Sequence, residues 1–272
     1  MAGEPRRSSP LTRALIRAGQ EGRTGFIPFL MGGFPDPESF LRLLAGLDRT
    51  GADIIEVGLP GPGAPADGPV IRAAGRGARQ AGAGPESVLQ GLARLRPRPR
   101  APLLVMTYYQ PMREMGLARF ARWARRAGAA GVLVADLPSP SKGAWCRAAR
   151  AAGLDTVFLC PPHPSPERLH RALSGCRGFL YYQSHPGPTG STLKLDRQTL
   201  EGLRRVRRAS PLPLAVGFGV ATPEQAAALA PEAEAVVVGS ALMQRLLQAP
   251  RPDQGAQRML ALARSLRRAL KR

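Results

Sequence analysis

Residues 213–241, PLAVGFGVATPEQAAALAPEAEAVVVGSA, hold one complete strand–helix–strand unit. The apolar runs at 213–217 and 235–238 have Val, Leu and Ala at both odd and even positions, which is typical of strands buried on both faces of a parallel sheet. Between them, Thr222 and the proline after it open a helical stretch. The unit therefore predicts two parallel strands joined by a helix, with a glycine-bearing turn after each strand.

The same alternation runs along the rest of the chain. Further apolar runs lie at 26–30, 53–57, 103–106, 131–135, 156–159 and 178–181. Stretches with helical spacing lie at 37–50, 117–127, 141–152, 165–173, 197–208, 222–229 and 254–270. The first of these opens with Asp36 as N-cap and Pro37 at the first helical position. Eight strands alternating with helices in about 250 residues predict a (β/α)8 TIM barrel, with an open doubly wound sheet as the alternative.

One gap and the two ends of the chain complete the predicted architecture. About 45 residues separate the second and third strands, which leaves room for an inserted helix at 70–81 before the helix at 86–95. An extra helix is expected before the first strand. We therefore expect one TIM-barrel domain over 1–272, with its core at about 10–248 and a C-terminal helix at about 254–270.

Composition excludes several classes of protein. The chain is 44% apolar, so it can bury a large core, and its 39 Lys and Arg against 19 Asp and Glu give a charge of +20. Only three of the basic residues are lysines, and the arginines recur in most helical stretches. We therefore expect no specific nucleic-acid site, because a binding face would cluster its charge.

The cysteines and the apolar segments indicate the compartment. Cys146, Cys160 and Cys176 are odd in number and lack the spacing of a disulfide framework or a zinc site. The N-terminal stretch has no apolar core typical of a signal peptide, and no run is long enough to span a membrane. A soluble cytoplasmic protein that does not bind membranes is expected.

Two carboxylates follow the second predicted strand. Glu56 is an acid within an apolar run, where partial desolvation would favour its protonated form and suit it to proton donation. Asp67 stands in a Gly- and Pro-framed turn that can converge on the same cavity. The alternatives are a Glu56 carboxylate paired with an arginine, and Asp67 as a helix cap.

Glycine-bearing turns follow strands six, seven and eight. They contain Gly190, Gly219 and Gly239, and Ser240 opens a helix directly after the last of these. Exposed backbone N–H groups and a helix N-terminus favour an anion, so these turns predict a phosphate site, with ordinary turn glycines as the alternative.

The chain resembles the tryptophan synthase alpha subunit family over about residues 10–248. The motifs that carry the resemblance, in the family's order and spacing, are Phe26-Ile27-Pro28-Phe29, Glu56-Val57-Gly58-Leu59-Pro60, Ala66-Asp67-Gly68-Pro69-Val70-Ile71, Met106-Thr107-Tyr108-Tyr109, Val132-Leu133-Val134-Ala135-Asp136-Leu137-Pro138, the Thr189-Gly190 turn, Gly217-Phe218-Gly219 and Gly239-Ser240-Ala241. The resemblance implies a carbon–carbon lyase of tryptophan biosynthesis that cleaves indole-3-glycerol phosphate to indole and glyceraldehyde 3-phosphate.

The resemblance also implies roles for individual residues. Glu56 matches the acid/base that protonates the indole carbon, Asp67 the carboxylate that steadies positive charge at the indole N–H, and Tyr181 a nearby aromatic hydroxyl. The phosphate cradle and the substrate pocket would then comprise Gly190, Gly219, Gly239 and Ser240, and Phe29, Tyr108 and Thr189, with core packing as the alternative for Phe29 and Tyr108. No metal and no cofactor are expected in this subunit. Pyridoxal phosphate would lie in a beta partner, in an alpha2beta2 heterotetramer.

The sequence departs from the family in the loop after the second strand. Where the family usually has phenylalanine, serine, aspartate and proline, this chain has Gly61-Pro62-Gly63-Ala64, without a side-chain donor or acceptor. Met31, Gln110 and His185 also differ from the usual threonine, asparagine and arginine. We therefore expect weak stimulation by a beta subunit. A lyase acting alone, a weakly catalytic partner-binding barrel and another phosphate-binding barrel enzyme remain as alternatives.

Overall fold

The computed structural model describes residues 9–62, 64–184, 196–217 and 219–271. Within them, eight strands form one closed parallel barrel, in which each strand pairs with the next and β8 pairs with β1. The strands are β1 (Gly25–Met31), β2 (Ile55–Gly58), β3 (Leu103–Thr107), β4 (Ala129–Val134), β5 (Asp155–Cys160), β6 (Leu180–Gln183), β7 (Leu214–Gly217) and β8 (Ala235–Val238). Closure confirms the predicted barrel and rules out the open sheet.

Twelve helices within the described residues surround this barrel. They are α1 (Pro10–Gln20), α2 (Pro37–Arg49), α3 (Pro69–Gln80), α4 (Pro85–Arg94), α5 (Tyr109–Met115), α6 (Leu117–Arg126), α7 (Ser139–Ala151), α8 (Pro166–Leu173), α9 (Arg197–Ala209), α10 (Pro223–Leu229), α11 (Ser240–Leu247) and α12 (Pro252–Ala269). The N-terminal helix α1 and the inserted helix α3 are confirmed. The short helix α5, directly after β3, was not predicted. None of the helices in the described ranges is long and apolar enough to cross a membrane.

Local chemistry accounts for where the elements begin. The Asp36 carboxylate accepts a hydrogen bond from the Ser39 amide (2.9 Å) and caps α2, as the sequence predicts. The predicted start of the sixth strand at Gly178 was wrong, because Gly178 has a φ of +86°. That left-handed conformation does not fit a strand, and β6 begins two residues later.

The core has two layers divided by the barrel wall. Side chains at alternate positions, such as Ile27 of β1, Leu104 of β3 and Ile54 directly before β2, fill the barrel interior, and their neighbours pack against the helices. At the amino ends of the strands, Leu11 and Leu15 of α1 join the interior cluster and are almost fully buried. Helix α1 therefore closes that end of the barrel, and the open mouth lies at the carboxyl ends of the strands.

Candidate active site

The mouth of the barrel holds a cavity of about 300 Å³. The same alternation that fills the interior places Phe29, Glu56 and Tyr181 above the packed layer, where they line this cavity. The loop after β2 and the N-terminus of α11 complete its wall. In barrels of this kind the reacting groups lie at this end of the strands.

Glu56 is buried in the wall of the cavity. Glu56 pairs in register with Phe29 of β1 and Leu104 of β3, and only 3% of its surface is exposed. Burial, and after it the negative charge of Asp67, raises the pKa of Glu56 to about 8. Glu56 is therefore largely protonated near neutral pH and can donate a proton.

Asp67 is a buried carboxylate with a different environment. Its Oδ1 accepts a hydrogen bond from the Tyr108 hydroxyl (2.7 Å). Burial raises the pKa of Asp67, while the Tyr108 hydrogen bond and the positive charge of Arg72 act in the opposite direction. Its anion thus has two stabilising partners, whereas Glu56 forms no ion pair with any described residue. Such a pair of carboxyl groups can act as donor and as anion.

Two glycines make room for the aromatic side chains of the cavity. A Cβ at Gly217 would lie 2.3 Å from the Tyr181 hydroxyl, and a Cβ at Gly58 would lie 2.5 Å from Cζ of Phe29. Burial, and after it the charge of Glu56, raises the pKa of Tyr181, so its hydroxyl stays protonated. These glycines keep a phenol and a phenyl ring inside the mouth.

Another part of the cavity wall is suited to an anion. Gly219, Gly239 and Ser240 line it, and Ser240 is the first residue of α11. The Ser240 Oγ is buried and has no hydrogen-bond partner among the described residues. A buried hydroxyl without a partner at a helix N-terminus favours a negatively charged group in the cavity.

The structure gathers most of the predicted site residues around one cavity. Those that line it are Phe29, Glu56, Asp67, Tyr181, Gly219, Gly239 and Ser240. Thr189 and Gly190, like His185, lie outside the described residues. Tyr108 does not line this cavity: it lies behind Asp67 and borders a smaller cavity of about 130 Å³ with Gly61 and Arg79. The helix-cap interpretation of Asp67 was also wrong, because the N-cap of α3 is Gly68.

Sequence reasoning missed several apolar residues of the cavity. Met106, Leu133 and Leu159 line it, and Gln244 of α11 adds a polar group. Strand alternation contains the signal for the first of these, because Met106 lies two positions after the inward-facing Leu104. Gln244 lies one helical turn after Ser240 and has no such signal in the sequence.

In the described part of the chain, no group of three or more His, Cys, Asp or Glu side chains is placed to hold a metal ion.

Comparisons with known proteins agree with this geometry. Residues 15–271 match the family described as tryptophan synthase alpha chain. The tryptophan synthase alpha chain of Gloeobacter violaceus is 40% identical over 90% of this chain and 88% of its own length. The corresponding chain of Dehalococcoides mccartyi is 38% identical over 91% of this chain and 96% of its own length.

Solved structures are similar over nearly the whole fold. A chain in the structure of Mycobacterium tuberculosis tryptophan synthase superposes with a TM-score of 0.88 at 32% identity, covering 98% of this chain and all of that one. Tryptophan synthase subunit alpha of Legionella pneumophila gives 0.85 at 32% identity, covering 96% and 98%. With the matched family and its relatives extending over nearly all of its length, this chain belongs to the tryptophan synthase alpha chain family, a family of carbon–carbon lyases.

Proposed function

We propose that this chain cleaves indole-3-glycerol phosphate to indole and glyceraldehyde 3-phosphate, with Glu56 as acid and base. The observation that carries this assignment of roles is the contrast between Glu56, held largely protonated by burial, and Asp67, whose anion is stabilised by Tyr108 and Arg72. Both line one cavity, and part of the wall of that cavity favours an anion. The family shown above supports the reaction.

The cleavage requires one proton to enter the substrate and one to leave it. Glu56 donates its proton to C3 of the indole ring, and Asp67 stabilises the positive charge that develops at the ring N–H. The hydroxyl next to the bond that breaks then loses its proton to the Glu56 carboxylate. Its electrons form the aldehyde, and the electrons of the C–C bond return to the indole ring. Glu56 is protonated again at the end of the cycle.

The remaining residues bind and orient the substrate. Phe29 supplies a wall for the indole ring, and Tyr181 places a protonated hydroxyl near Glu56. Gly219, Gly239 and Ser240 bind the phosphate through backbone N–H groups and the Ser240 hydroxyl. Thr189 is assigned to the same pocket by resemblance, and Gly190 by resemblance and by its place in the glycine-bearing turn after the sixth strand.

The proposed partner is a tryptophan synthase beta subunit, in an alpha2beta2 assembly. This chain needs no cofactor of its own for the reaction, and pyridoxal phosphate belongs to the beta subunit. A cytoplasmic location is proposed from the family and from Cys146, Cys160 and Cys176, which are all free thiols and suit a reducing compartment.

The test is indole release by the wild type and by Glu56→Gln. The amide keeps the volume of the side chain but can neither donate nor accept the proton, so the rate should fall by roughly 10²–10⁴-fold. The thermal unfolding curve is recorded in parallel as the control for folding. A variant that retains more than about a tenth of the wild-type rate would exclude Glu56 as the acid/base.

A further inference from the structure

The fold gathers arginines that are spread along the sequence. A helix that runs antiparallel to the barrel strands ends where the next strand begins, so the C-termini of these helices meet at the amino end of the barrel. Arginines occupy the last turn of nearly all helices there, namely Arg17, Arg49, Arg94, Arg125, Arg126, Arg150, Arg171, Arg207, Arg208, Arg267 and Arg268. The expectation that the basic charge forms no cluster was therefore wrong, because even spacing along the chain becomes a ring in space.

One concavity in this ring has a single sign of charge. A groove of about 790 Å³ lies between α1 and the segment before β3, and its lining includes Arg13, Arg17, Arg98 and Arg100. None of the described residues that line this α1 groove is acidic. The two neighbouring cavities differ, since one includes Asp48 and Asp53 and the other Asp155.

The arginines of the α1 groove differ in how far contacts within the protein already occupy their guanidinium groups. Arg98 is fixed, because its guanidinium donates to the carbonyls of Leu92, Ala93 and Ala127 at the ends of α4 and α6. Arg17 has only a loose, exposed contact with Glu21 (3.9 Å), which contributes little. Arg100 forms no ion pair with the described residues. Arg17 and Arg100 can therefore turn to a ligand.

An apolar wall accompanies these charges. Ile16 is one of the few exposed large apolar side chains of the described residues, at 46% exposure, and it lines the α1 groove together with Pro99 and Pro102. A ligand that matches the α1 groove therefore carries several negative charges and an uncharged organic part.

We propose that the α1 groove binds a nucleoside triphosphate, with the phosphates on Arg17 and Arg100 and the nucleoside against Ile16. Planar guanidinium groups donate paired hydrogen bonds to phosphate oxygens, which makes arginine suited to this ligand. Leu11 and Leu15 of α1 fill the barrel end between the α1 groove and the catalytic cavity. The two sites are separate, and the nucleotide does not compete with the substrate phosphate.

The test is calorimetric binding of ATP at about 0.1 M salt, where charges more than about 10 Å apart are screened. Glycerol phosphate is present at saturation to occupy the catalytic cavity. The groove variant Arg17→Gln/Arg100→Gln should bind ATP about ten-fold or more weakly, because it removes charge-assisted hydrogen bonds to the phosphates. The matched control, Arg122→Gln/Arg258→Gln, removes the same charge from exposed positions outside the α1 groove and should change the affinity less than about two-fold.

Several results would overturn the proposal. Equal losses in the two variants would show that ATP follows the net charge, and displacement of ATP by glycerol phosphate would place it in the catalytic cavity. Tripolyphosphate should bind several-fold more weakly than ATP, and equal binding would remove the nucleoside from the assignment. Arg100→Glu serves as a second variant if the double variant fails to fold. Indole release should be unchanged in all of these variants.

Discussion

Asp53 and Glu56 lie three residues apart on one segment of the barrel, and their surroundings differ. Asp53 is buried at the amino end, where its Oδ2 accepts hydrogen bonds from the Arg23 guanidinium (2.6 Å) and the Phe26 amide (2.9 Å). Glu56 is buried at the carboxyl end beside the negative charge of Asp67, without an ion pair to any described residue. Asp53 stabilises the fold through its contacts with Arg23 and Phe26, whereas Glu56 holds a proton that it can donate. Burial alone therefore does not identify the proton donor; burial without a cationic partner distinguishes Glu56 from Asp53.

The two ends of the barrel repeat this difference on a larger scale. At the amino end, helix C-termini present carbonyl oxygens, and arginines such as Arg98 and Arg267 donate to the backbone there. At the carboxyl end, the cavity is lined mostly by apolar side chains around Glu56 and Asp67. Although the chain is rich in arginine, none of the described residues that line this cavity is an arginine or a lysine, so no cation there offsets the effect of burial and of Asp67 on the pKa of Glu56.

The largest expected effect is a difference between Glu56 and Asp53 in how each carboxyl group changes the free energy of unfolding. The pKa of Glu56 rises from the usual 4.5 to about 8 in the folded protein. Between these values the unfolded chain releases a proton that the folded chain retains, so wild-type stability falls as pH rises from about 4.5 to about 8. Glu56→Gln removes this fall in stability, because the amide does not titrate. We expect the variant to exceed the wild type by roughly 2–4 kcal/mol in free energy of unfolding at about pH 8.5, and by less at about pH 5.5.

Asp53→Asn is the matched comparison and should act in the opposite direction. It removes the charge that pairs with Arg23, so the free energy of unfolding should fall by about 1–3 kcal/mol at both pH values. Urea denaturation of the two variants and the wild type measures both effects. If Glu56→Gln is destabilised at high pH, the proposed contrast between the two carboxyl groups is wrong.

The phosphate side of the mouth gives the next largest effect. Gly239→Val should weaken inhibition by glycerol phosphate by roughly 10–10²-fold, since a lost hydrogen bond to a charged group is worth about 1.5–3 kcal/mol. Gly239 has a φ of −116°, which valine tolerates, whereas Gly219 has a φ of +86° and would be strained by any side chain. Gly239 is therefore the cleaner test of phosphate binding.

A smaller substitution at the same position is the control for that test. The Cβ of Gly239→Ala would lie 3.3 Å from Cβ of Phe29, so the alanine fits with a small shift and blocks the phosphate less. We expect an intermediate inhibition constant for Gly239→Ala. If glycerol phosphate inhibits the valine variant as well as it inhibits the wild type, the phosphate binds elsewhere.

Sequence patterns were sufficient for the barrel and for Glu56. Apolar runs report burial directly, so the strands and the acid within the second run were predicted from them, whereas Phe29 and Tyr181 were predicted from the family resemblance. Contacts between distant segments carry no such pattern. The hydrogen bond from Tyr108 to Asp67 joins residues 41 positions apart, and the space that Gly217 leaves for Tyr181 depends on the pairing of β6 with β7. The ring of arginines was missed for the same reason, because it exists only after the helices are placed around the barrel.

The smallest expected effect concerns the loop after β2, at the rim of the mouth. The Arg79 guanidinium donates to the Gly61 carbonyl (2.9 Å), so α3 holds this loop through its backbone. The side chains of Gly61, Pro62 and Ala64 offer no donor or acceptor to a partner. A polar group of the partner left unmatched costs about 1–3 kcal/mol, and a coupling free energy of that size corresponds to roughly ten-fold in stimulation. We therefore expect stimulation of indole release by a beta subunit to be about ten-fold weaker than with the family's usual loop.

Replacing residues 61–64 with phenylalanine, serine, aspartate and proline tests this expectation. The backbone carbonyl at position 61 remains available to Arg79, and a Cβ there would lie 3.5 Å from Cγ of Pro111, an ordinary contact. The replacement therefore adds polar side chains without removing the contact that holds the loop. A control loop of alanine, proline, alanine and alanine makes a similar backbone change without polar groups and should behave like the wild type. Titrating a purified beta subunit against each protein and following indole release distinguishes them. Full stimulation of the wild type, or equal stimulation of the two replaced loops, would show that coupling to the partner does not depend on this loop.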